Sequence, residues 1–367
     1  MEDTVKLGED IVFSQREARF AETSMEEWAK RIETLIEFQQ NVDGPVKVTN
    51  VRPVGVAAGG SNGTLLFDAQ YTENSCYVRR QLVLRFLPAR GLFHKYDVSG
   101  QFELQRTLHK TDIPVAEQLW LDSNGEYLKV PGYIMEQVPG DSPPMLWKAS
   151  GIVFDASPAQ RRNMMQSYVE MLARIHSLNW KSLGLDWLEK RSEGILPIGR
   201  EVDWYWDSLK WANFEDSVET FEPIRNWLIS NEPTDARIVL CHGDVNLGNY
   251  LFENEKVSAV LDWEMAFLGA PECDLTMFCV GDEAVQGNVQ LPEGVIAGSD
   301  IYAIYEEIVG CELRNIAYFE LFSRFRTSAV TTMAMNHYGE LSESMRPIYD
   351  LTLKNCFESA KAMGVDL

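Results

Sequence analysis

The segment HGDVNLGNYLF at residues 242–252, followed by VLDWE at residues 260–264, decides how this chain is interpreted. Asp244 and Asn249 are five residues apart, and Asp262 follows eighteen residues after Asp244. Each lies at the edge of a short apolar run (IVL, YLF or AVL), and such runs are typical of short buried strands. The pattern predicts three polar side chains held in loops between neighbouring strands.

These three side chains suit phosphoryl transfer. That reaction needs a carboxylate to orient the attacking hydroxyl, and oxygen ligands to hold Mg²⁺ against the phosphates. Taken alone, an HGD tripeptide arises often by chance, and single Asp or Asn residues in loops are usually caps or turn formers. The spacing of all three positions in a strand and loop context favours the functional interpretation.

The pattern H-G-D-x-x-x-x-N followed by D-W-E resembles the catalytic and metal-binding loops of the aminoglycoside phosphotransferase and choline kinase group, relatives of the protein kinases. The resemblance implies that Asp244 is the base or hydroxyl-orienting residue and that Asn249 and Asp262 ligate Mg²⁺. It also implies that His242 is a packing residue that braces the loop. Gly243 stands where the protein kinases have arginine.

Asp274, in GAPECDL, resembles the family's second aspartate, which hydrogen-bonds the backbone of the catalytic loop. A helix N-cap predicts nearly the same residue type at this place. We therefore expect Asp274 to have a structural role.

A glycine-rich turn upstream resembles the family's nucleotide-binding turn, which lies over ATP between two lobes. In AAGGSNGTLLF, residues 57–67, glycines allow close backbone approach to phosphate and polar side chains can donate hydrogen bonds. The residues expected to contact the nucleotide there are Gly60, Ser61, Asn62 and Gly63. The segment lacks GK[ST], so it is not a Walker A loop. An ordinary hairpin turn remains the alternative.

The next strands supply the other nucleotide contacts that the resemblance implies. QLVLRF offers Arg85 where the kinases have lysine, and arginine can bind phosphate oxygens in bidentate fashion. Glu103, on the following helix, is the candidate partner of Arg85, with an exposed helical glutamate as the alternative. YIMEQVPG resembles the hinge, where the Glu136 carbonyl and the Val138 amide would pair with the edge of adenine.

The surrounding sequence indicates an α+β, bilobal, protein-kinase-like fold. The segment SMEEWAKRIETLIEFQQN opens with Ser24 and Glu27 in a capping-box pattern and predicts an amphipathic helix. Short β-branched runs over residues 46–86 predict an antiparallel meander. We expect an N-terminal helical extension at residues 1–40, a small antiparallel β N-lobe at 41–138 and a larger, mainly helical C-lobe at 139–367.

The composition limits the binding partners and the cellular compartment that we expect for this protein. The chain has 33 basic and 55 acidic residues, a net charge of −22, which disfavours nucleic acid and anionic membranes as partners. The six cysteines include no CxxC pair, so reduced thiols in a cytoplasm are expected. The N-terminus shows no secretory signal, and no run of about eighteen apolar residues predicts a membrane span. Oligomeric state stays open.

The expected function is Mg²⁺- and ATP-dependent transfer of the γ-phosphate to a hydroxyl of a small-molecule acceptor. The alternative is a degenerate kinase fold that binds nucleotide without turnover, which Arg85 alone favours. A metal-dependent hydrolase is disfavoured, because it would need more histidine ligands near His242 than this chain has. Four aromatic residues could line an acceptor pocket, with a place in the core as the alternative: Trp204, Tyr205, Trp206 and Trp211. Three acidic residues could also face the acceptor, with solvent-exposed surface positions as the alternative: Asp203, Asp207 and Glu264.

Overall fold

The computed structural model describes residues 11–12, 23–54, 63–88, 91–189, 197–212, 217–286, 291–296, 298–338 and 342–367. The chain divides into two compact units, residues 1–139 and residues 140–367. Among the described helices, none combines the length and the apolar run that crossing a bilayer requires.

The N-terminal unit is a twisted antiparallel sheet with two helices. Its elements are β1 (Ile11–Val12), α1 (Met25–Glu37), β2 (Val42–Pro53), β3 (Gly63–Glu73), β4 (Cys76–Phe86), β5 (Lys95–Tyr96), α2 (Val98–Leu108), β6 (Gln118–Asp122) and β7 (Gly132–Glu136). The main sheet has the strand order β2-β3-β4-β7-β6. Asn74 and Ser75, both with positive φ, form the two-residue turn between β3 and β4, as right-handed strand twist favours. The predicted meander is therefore confirmed.

Helix α1 is part of the core of this unit. The Ser24 side chain caps the helix by accepting a hydrogen bond from the Glu27 amide (3.1 Å). Its apolar face packs against side chains from the sheet, including Leu82 and Ile134, and all of them are buried; the helix residues are Trp28, Ile32, Leu35 and Ile36. Phe38 follows the last helical residue and is 69% exposed, so the buried apolar face ends two residues earlier, at Ile36.

The C-terminal unit is mainly helical and contains two short strand pairs, as the sequence predicts. Its elements are α3 (Gly151–Asp155), α4 (Pro158–Ser177), α5 (Pro197–Ala212), α6 (Ser217–Ser230), β8 (Val239–Cys241), β9 (Tyr250–Glu253), β10 (Lys256–Val260), β11 (Phe267–Gly269), α7 (Pro271–Gln286), α8 (Ser299–Val309), α9 (Ile316–Tyr338) and α10 (Ser342–Ala362). The helical region after residue 298 is divided near Gly310, whose positive φ ends α8.

The two strand pairs bring two loops to the same place. β8 pairs with β11, and β9 forms a hairpin with β10 through a turn in which Asn254 and Glu255 have positive φ. The HGD loop, residues 242–249, joins β8 to β9, while the DWE loop, residues 261–266, joins β10 to β11. The end of β8 pairs with the start of β11, and the start of β9 pairs with the end of β10. Both loops therefore lie at the same end of the two strand pairs.

Candidate active site

The HGD loop has a backbone shape that only glycine fits at its second position. Gly243 has φ +84°, and a Cβ built there would lie 1.9 Å from the carbonyl oxygen of Met265 in the DWE loop. Any other residue would clash with that backbone and strain its own. The glycine that replaces the kinase arginine therefore allows the two loops to touch.

Asp244 and Asn249 are in direct contact. The Asn249 Nδ2 donates to an oxygen of the Asp244 carboxylate (2.8 Å) and to the Asp244 backbone carbonyl (2.9 Å). Asn246 donates to the other carboxylate oxygen (2.8 Å) and accepts from the Gly248 amide (2.9 Å). The carboxylate, half-buried, is thus oriented by two amides, and each oxygen keeps a further lone pair.

The DWE loop is tied to the same residues. The Leu261 amide donates to the Asn249 carbonyl (2.8 Å), and the Leu261 carbonyl accepts from Nε2 of His242 (2.8 Å). His242 Nδ1 in turn accepts from the Asp244 amide (3.2 Å), which fixes a neutral tautomer with the proton on Nε2. Asp262 therefore directly follows Leu261, whose amide is bonded to Asn249 and whose carbonyl is bonded to His242. Asp262 itself adopts a left-handed backbone conformation.

His242 is fully buried and packs on Trp263, with ring centroids 4.7 Å apart. Its two ring nitrogens are used by backbone groups of the two loops. This geometry agrees with the bracing role that the sequence predicts for His242.

Asp274, in the first turn of α7, forms hydrogen bonds with the backbone at the start of the HGD loop. Its carboxylate accepts from the amides of His242 (2.7 Å) and Gly243 (3.0 Å) and from Nε2 of His176 (3.1 Å). Burial by itself would raise the pKa of Asp274, but His176 and the Gly243 amide, which both donate hydrogen bonds to the carboxylate, outweigh burial and lower it. Asp274 is therefore a buried anion that stabilises the loop, in line with the structural role expected from the sequence.

Two further side chains hold loop carbonyls. Arg326 on α9 donates to the Gly243 carbonyl (2.8 Å), and the Tyr168 hydroxyl on α4 donates to the Val245 carbonyl. Sequence reasoning did not find these residues, because they lie about 80 residues from the loop in opposite directions and carry no local motif. Asn246 was also missed, although it stands inside the quoted motif beside the aspartate it contacts.

The donor set fits a divalent cation. Because Nδ2 of Asn249 is committed to two acceptors around Asp244, the other atom of its amide is an oxygen available to a ligand. That oxygen and the carboxylate of Asp262 are the hard ligands that Mg²⁺ prefers. The predicted ligand pair stays a prediction, with a chemistry that suits it.

In the N-terminal unit, the expected phosphate contacts are described in part. Gly60, Ser61 and Asn62 lie outside the described residues. Gly63 opens β3 opposite Phe86, and a Cβ at Gly63 would lie 2.2 Å from the Phe86 ring, so a side chain there would force the ring to move. This gives Gly63 a structural reason that the sequence did not reveal.

Arg85 and Glu103 occupy the predicted elements. Arg85 lies on β4, paired with Thr64 and Tyr133 on the neighbouring strands, and is 9% exposed. Glu103, on α2, forms an ion pair with Arg106 (2.5 Å), and its pairing with Arg85 stays a prediction.

The adenine contacts fall at the end of β7. Glu136 is the last residue of that strand, and its carboxylate pairs with Arg80 (3.0 Å). Val138 follows two residues later. The roles assigned to the Glu136 carbonyl and the Val138 amide stay predictions.

The aromatic run of α5 is largely core. Tyr205 and Trp206 are buried, whereas Trp204 and Trp211 are half-buried. Two of the three acidic residues suggested to face an acceptor meet cations of the chain itself: Asp203 pairs with Arg225 (2.8 Å) and Asp207 with Lys210 (2.7 Å). The role of Glu264 stays a prediction.

Known proteins share this sequence pattern. The mouse protein acyl-CoA dehydrogenase family member 10 is 26% identical over 91% of this chain and 35% of its own length. Rat acyl-CoA dehydrogenase family member 11 is 29% identical over 70% of this chain and 34% of its own length. The chain thus spans about a third of the length of these curated relatives.

Solved structures share the fold. A Ralstonia eutropha protein assigned to the aminoglycoside phosphotransferases superposes with a TM-score of 0.64 at 22% identity, over 89% of this chain and 98% of that one. A choline/ethanolamine kinase family protein from Mesorhizobium loti gives 0.53 at 15%, over 92% and 95%. A ternary complex of aminoglycoside phosphotransferase APH(4)-Ia with AMP-PNP and hygromycin B gives 0.52 at 14%, over 89% and 98%. The kinase-like α+β fold predicted from the sequence is confirmed.

The family follows from the sequence itself. The profile of the phosphotransferase enzyme family, known as APH, matches residues 68–306, about two thirds of the chain. That range includes the HGD loop, the DWE loop and Asp274, whose contacts are described above. The chain belongs to the phosphotransferase enzyme family.

Proposed function

We propose that this protein transfers the γ-phosphate of ATP to a hydroxyl group of a small molecule, with Mg²⁺ as the cofactor. The observation that carries the proposal is the contact between the Asn249 side-chain amide and the Asp244 carboxylate, with the amide of Leu261, the residue before Asp262, bonded to the Asn249 carbonyl. One hydrogen-bond network thereby joins the loop segments that carry the proposed base and the two proposed oxygen ligands. Family membership and the complex of APH(4)-Ia with AMP-PNP support the choice of a nucleotide.

Asp244 would orient the acceptor hydroxyl. A free lone pair on its carboxylate accepts the hydroxyl proton as the acceptor oxygen forms its bond to phosphorus and the bond from phosphorus to the β-phosphate oxygen breaks. Asn246 and Asn249 keep the carboxylate in one orientation. The carboxylate would therefore be positioned for the acceptor hydroxyl before the reaction begins.

Asn249 and Asp262 would hold Mg²⁺, which supplies neutralisation of phosphate charge when it is bound. The neutral His242 fixes the spacing between the two loops on which these ligands stand. Because both ring nitrogens are occupied by backbone groups, His242 holds its proton and is not part of the proton transfer.

The nucleotide would be bound further by the N-terminal unit. We assign Arg85 to the α- and β-phosphates, with Glu103 as its partner. The phosphate turn would use Gly60, Ser61, Asn62 and Gly63, and adenine would pair with the Glu136 carbonyl and the Val138 amide. Arginine is always charged and offers a bidentate fork, which suits a phosphate contact.

The test is the Asp244→Asn variant, assayed for ATP-dependent phosphoryl transfer against a panel of hydroxyl acceptors. The panel contains amino sugars, choline-like amines and hydroxyacyl thioesters, the last because the curated relatives are named as acyl-CoA dehydrogenase family members. We expect kcat to fall by about 10³-fold or more while nucleotide binding is retained. Asp300→Asn, at an exposed position of α8, is the matched control and should behave as wild type. Full activity of the Asp244→Asn variant would refute the mechanism.

A second candidate is a nucleotide-binding protein without turnover, which Arg85 in place of lysine favours. Stabilisation of the wild type by Mg²⁺–ATP in a thermal unfolding assay, with no ATP consumed in the presence of any acceptor, would favour this candidate.

A further inference from the structure

Arg326 is a buried cation directly behind the HGD loop. It lies on α9 and is 0% exposed. Its Nη2 donates to the Gly243 carbonyl (2.8 Å) and to the Tyr205 hydroxyl (3.2 Å). The guanidinium lies over the rings of three residues, with its central carbon 5.1–5.4 Å from their centroids: Tyr205, Phe267 and Phe322.

This arrangement is not the one that stability alone would select. A guanidinium is costly to bury unless its donors are satisfied. Within the described part of the chain, neither Nε nor Nη1 of Arg326 has a hydrogen-bond partner. Burial would lower the pKa of Arg326, but Tyr205 and Glu201 outweigh burial and raise it, so the side chain stays charged. A methionine of similar length would fill the same space without that cost.

The Gly243 carbonyl is the group that needs holding. It belongs to the peptide that joins Gly243 to Asp244, so the rotation of this peptide sets the direction in which Asp244 leaves the loop. Glycine restricts its own backbone torsions less than any other residue does, and Gly243 has φ +84°. A firm hydrogen bond to the carbonyl is therefore needed to keep the peptide in one orientation.

Opposite charges hold the two sides of this turn. The Asp274 carboxylate accepts from the amides of His242 and Gly243, while Arg326 donates to the carbonyl of Gly243. The two helices that carry these charges, α7 and α9, pack against each other. The backbone of Gly243 is thus fixed at its amide by an anion and at its carbonyl by a cation.

We propose that Arg326 is a positioning residue for Asp244, acting through the Gly243 carbonyl. The role in turnover rests on the proposed phosphotransferase function. Its effect on the loop does not, because it concerns the backbone of the unliganded protein. The two can therefore be tested by different measurements.

The experiment compares Arg326→Met, Arg326→Lys and the control Arg324→Met in the full chain. Arg324 lies on the same helix and pairs with the exposed Glu283 (2.9 Å), away from the loop. Hydrogen exchange is followed by mass spectrometry on peptides covering residues 239–250. Steady-state kinetics give kcat and the KM for ATP, with the acceptor found in the panel above.

For Arg326→Met we expect exchange of the loop amides to become about tenfold faster, since a hydrogen bond that holds the loop is lost. We expect kcat to fall about 10²-fold, as a displacement of about 1 Å at a reacting group can cause, with the KM for ATP within about threefold of wild type. Arg326→Lys keeps the charge and a donor, and should recover at least about tenfold of the lost kcat. Arg324→Met should match wild type in all three measurements.

Wild-type exchange and kcat in Arg326→Met, with only a lower melting temperature, would assign Arg326 to structural support and overturn the proposal. An Arg326→Lys variant as impaired as Arg326→Met would also overturn it, since charge and donor would then be irrelevant. If loop exchange rises but the wild type transfers no phosphate to any acceptor, the proposed function fails while the positioning of the loop stands.

Discussion

Different interactions hold the main sheet of the N-terminal unit and the HGD loop of the C-terminal unit. In the sheet, buried apolar side chains from α1 and the strands form one cluster, and hydrogen bonds run along the strand ladders. In the loop, four backbone groups of residues 242–245 are held by buried polar or charged side chains from α4, α7 and α9. We therefore expect the sheet to tolerate the loss of one buried methylene group, whereas the loop should be sensitive to the loss of a single hydrogen bond.

The strongest way to break the loop is Gly243→Ala. The new Cβ would meet the Met265 carbonyl at 1.9 Å, and the backbone would be held at φ +84°. We expect the free energy of unfolding to fall by about 3–5 kcal/mol, from strain and overpacking together, and phosphoryl transfer to be lost. Urea denaturation and the kinase assay measure the two effects.

Gly184→Ala is the matched control for this change. Gly184 also has positive φ (+69°), but nothing lies within 4 Å of its Cβ position. It should lose only about 1–2 kcal/mol, the cost of the left-handed backbone. Equal losses in the two variants would show that the contact with Met265 is unimportant.

The next largest effect is expected for Asp274→Asn. The asparagine cannot accept all the hydrogen bonds that the carboxylate takes from His242, Gly243 and His176. We expect a loss of about 2–4 kcal/mol in the free energy of unfolding at pH 7. Chemical denaturation measures it, and Asp300→Asn should differ little from wild type.

The pH dependence gives a second measurement of the same group. The pKa of Asp274 is lowered in the folded state, so its contribution to stability is complete above the ordinary aspartate pKa of about 4. It is lost as the pH falls through the lower folded pKa. The wild type should therefore lose more stability than Asp274→Asn on acidification below about pH 4. Parallel curves for the two proteins would contradict the assignment.

Asn246→Ala should affect the reaction more than the fold. The variant removes one of the two amides that orient the Asp244 carboxylate, at an exposed position. We expect kcat to fall about tenfold, equivalent to about 1.4 kcal/mol, with stability lowered by about 0.5–1 kcal/mol because the bond to the Gly248 amide is also lost. Asn163→Ala is the control, because Asn163 is also exposed and donates to a carboxylate, that of Glu255 (2.7 Å). If both variants keep wild-type kcat, Asn246 has no part in orienting Asp244.

The smallest effect is expected in the apolar core that α1 and the main sheet form. Ile32→Val removes one methylene from the buried face of α1, and should cost about 1 kcal/mol without changing kcat. Ile308→Val makes the same change at a position that is 44% exposed and should cost almost nothing. Thermal unfolding and kinetics measure both. A drop in kcat for Ile32→Val would show that the sheet core and the chemistry are linked.

The sequence predicted the elements whose pattern is local. The cap at Ser24, the apolar spacing of α1 and the β-branched runs of β2 to β4 appear where they were expected, since each depends on neighbours a few residues away. The sequence also indicated that Asp244, Asn249 and Asp262 belong together, because the loops around them carry a recognisable motif.

The sequence did not reveal the support behind that motif. Arg326, Tyr168 and His176 are ordinary helical residues in the printed sequence, and their roles arise only when helices pack behind the HGD loop. The phosphate contact of Gly63 stays a prediction, and the structure adds a packing reason for glycine there, because a Cβ would lie 2.2 Å from the Phe86 ring on the adjacent strand.

By itself, the sequence determined the family, the strand and helix pattern, and the three polar residues of the two loops, because short-range spacing encodes all of them. Only the tertiary structure decided which distant side chains hold the HGD loop, and that Gly243 must be glycine. A buried charge is stable only beside a specific partner, and the partner's place in space cannot be inferred from its place in the chain.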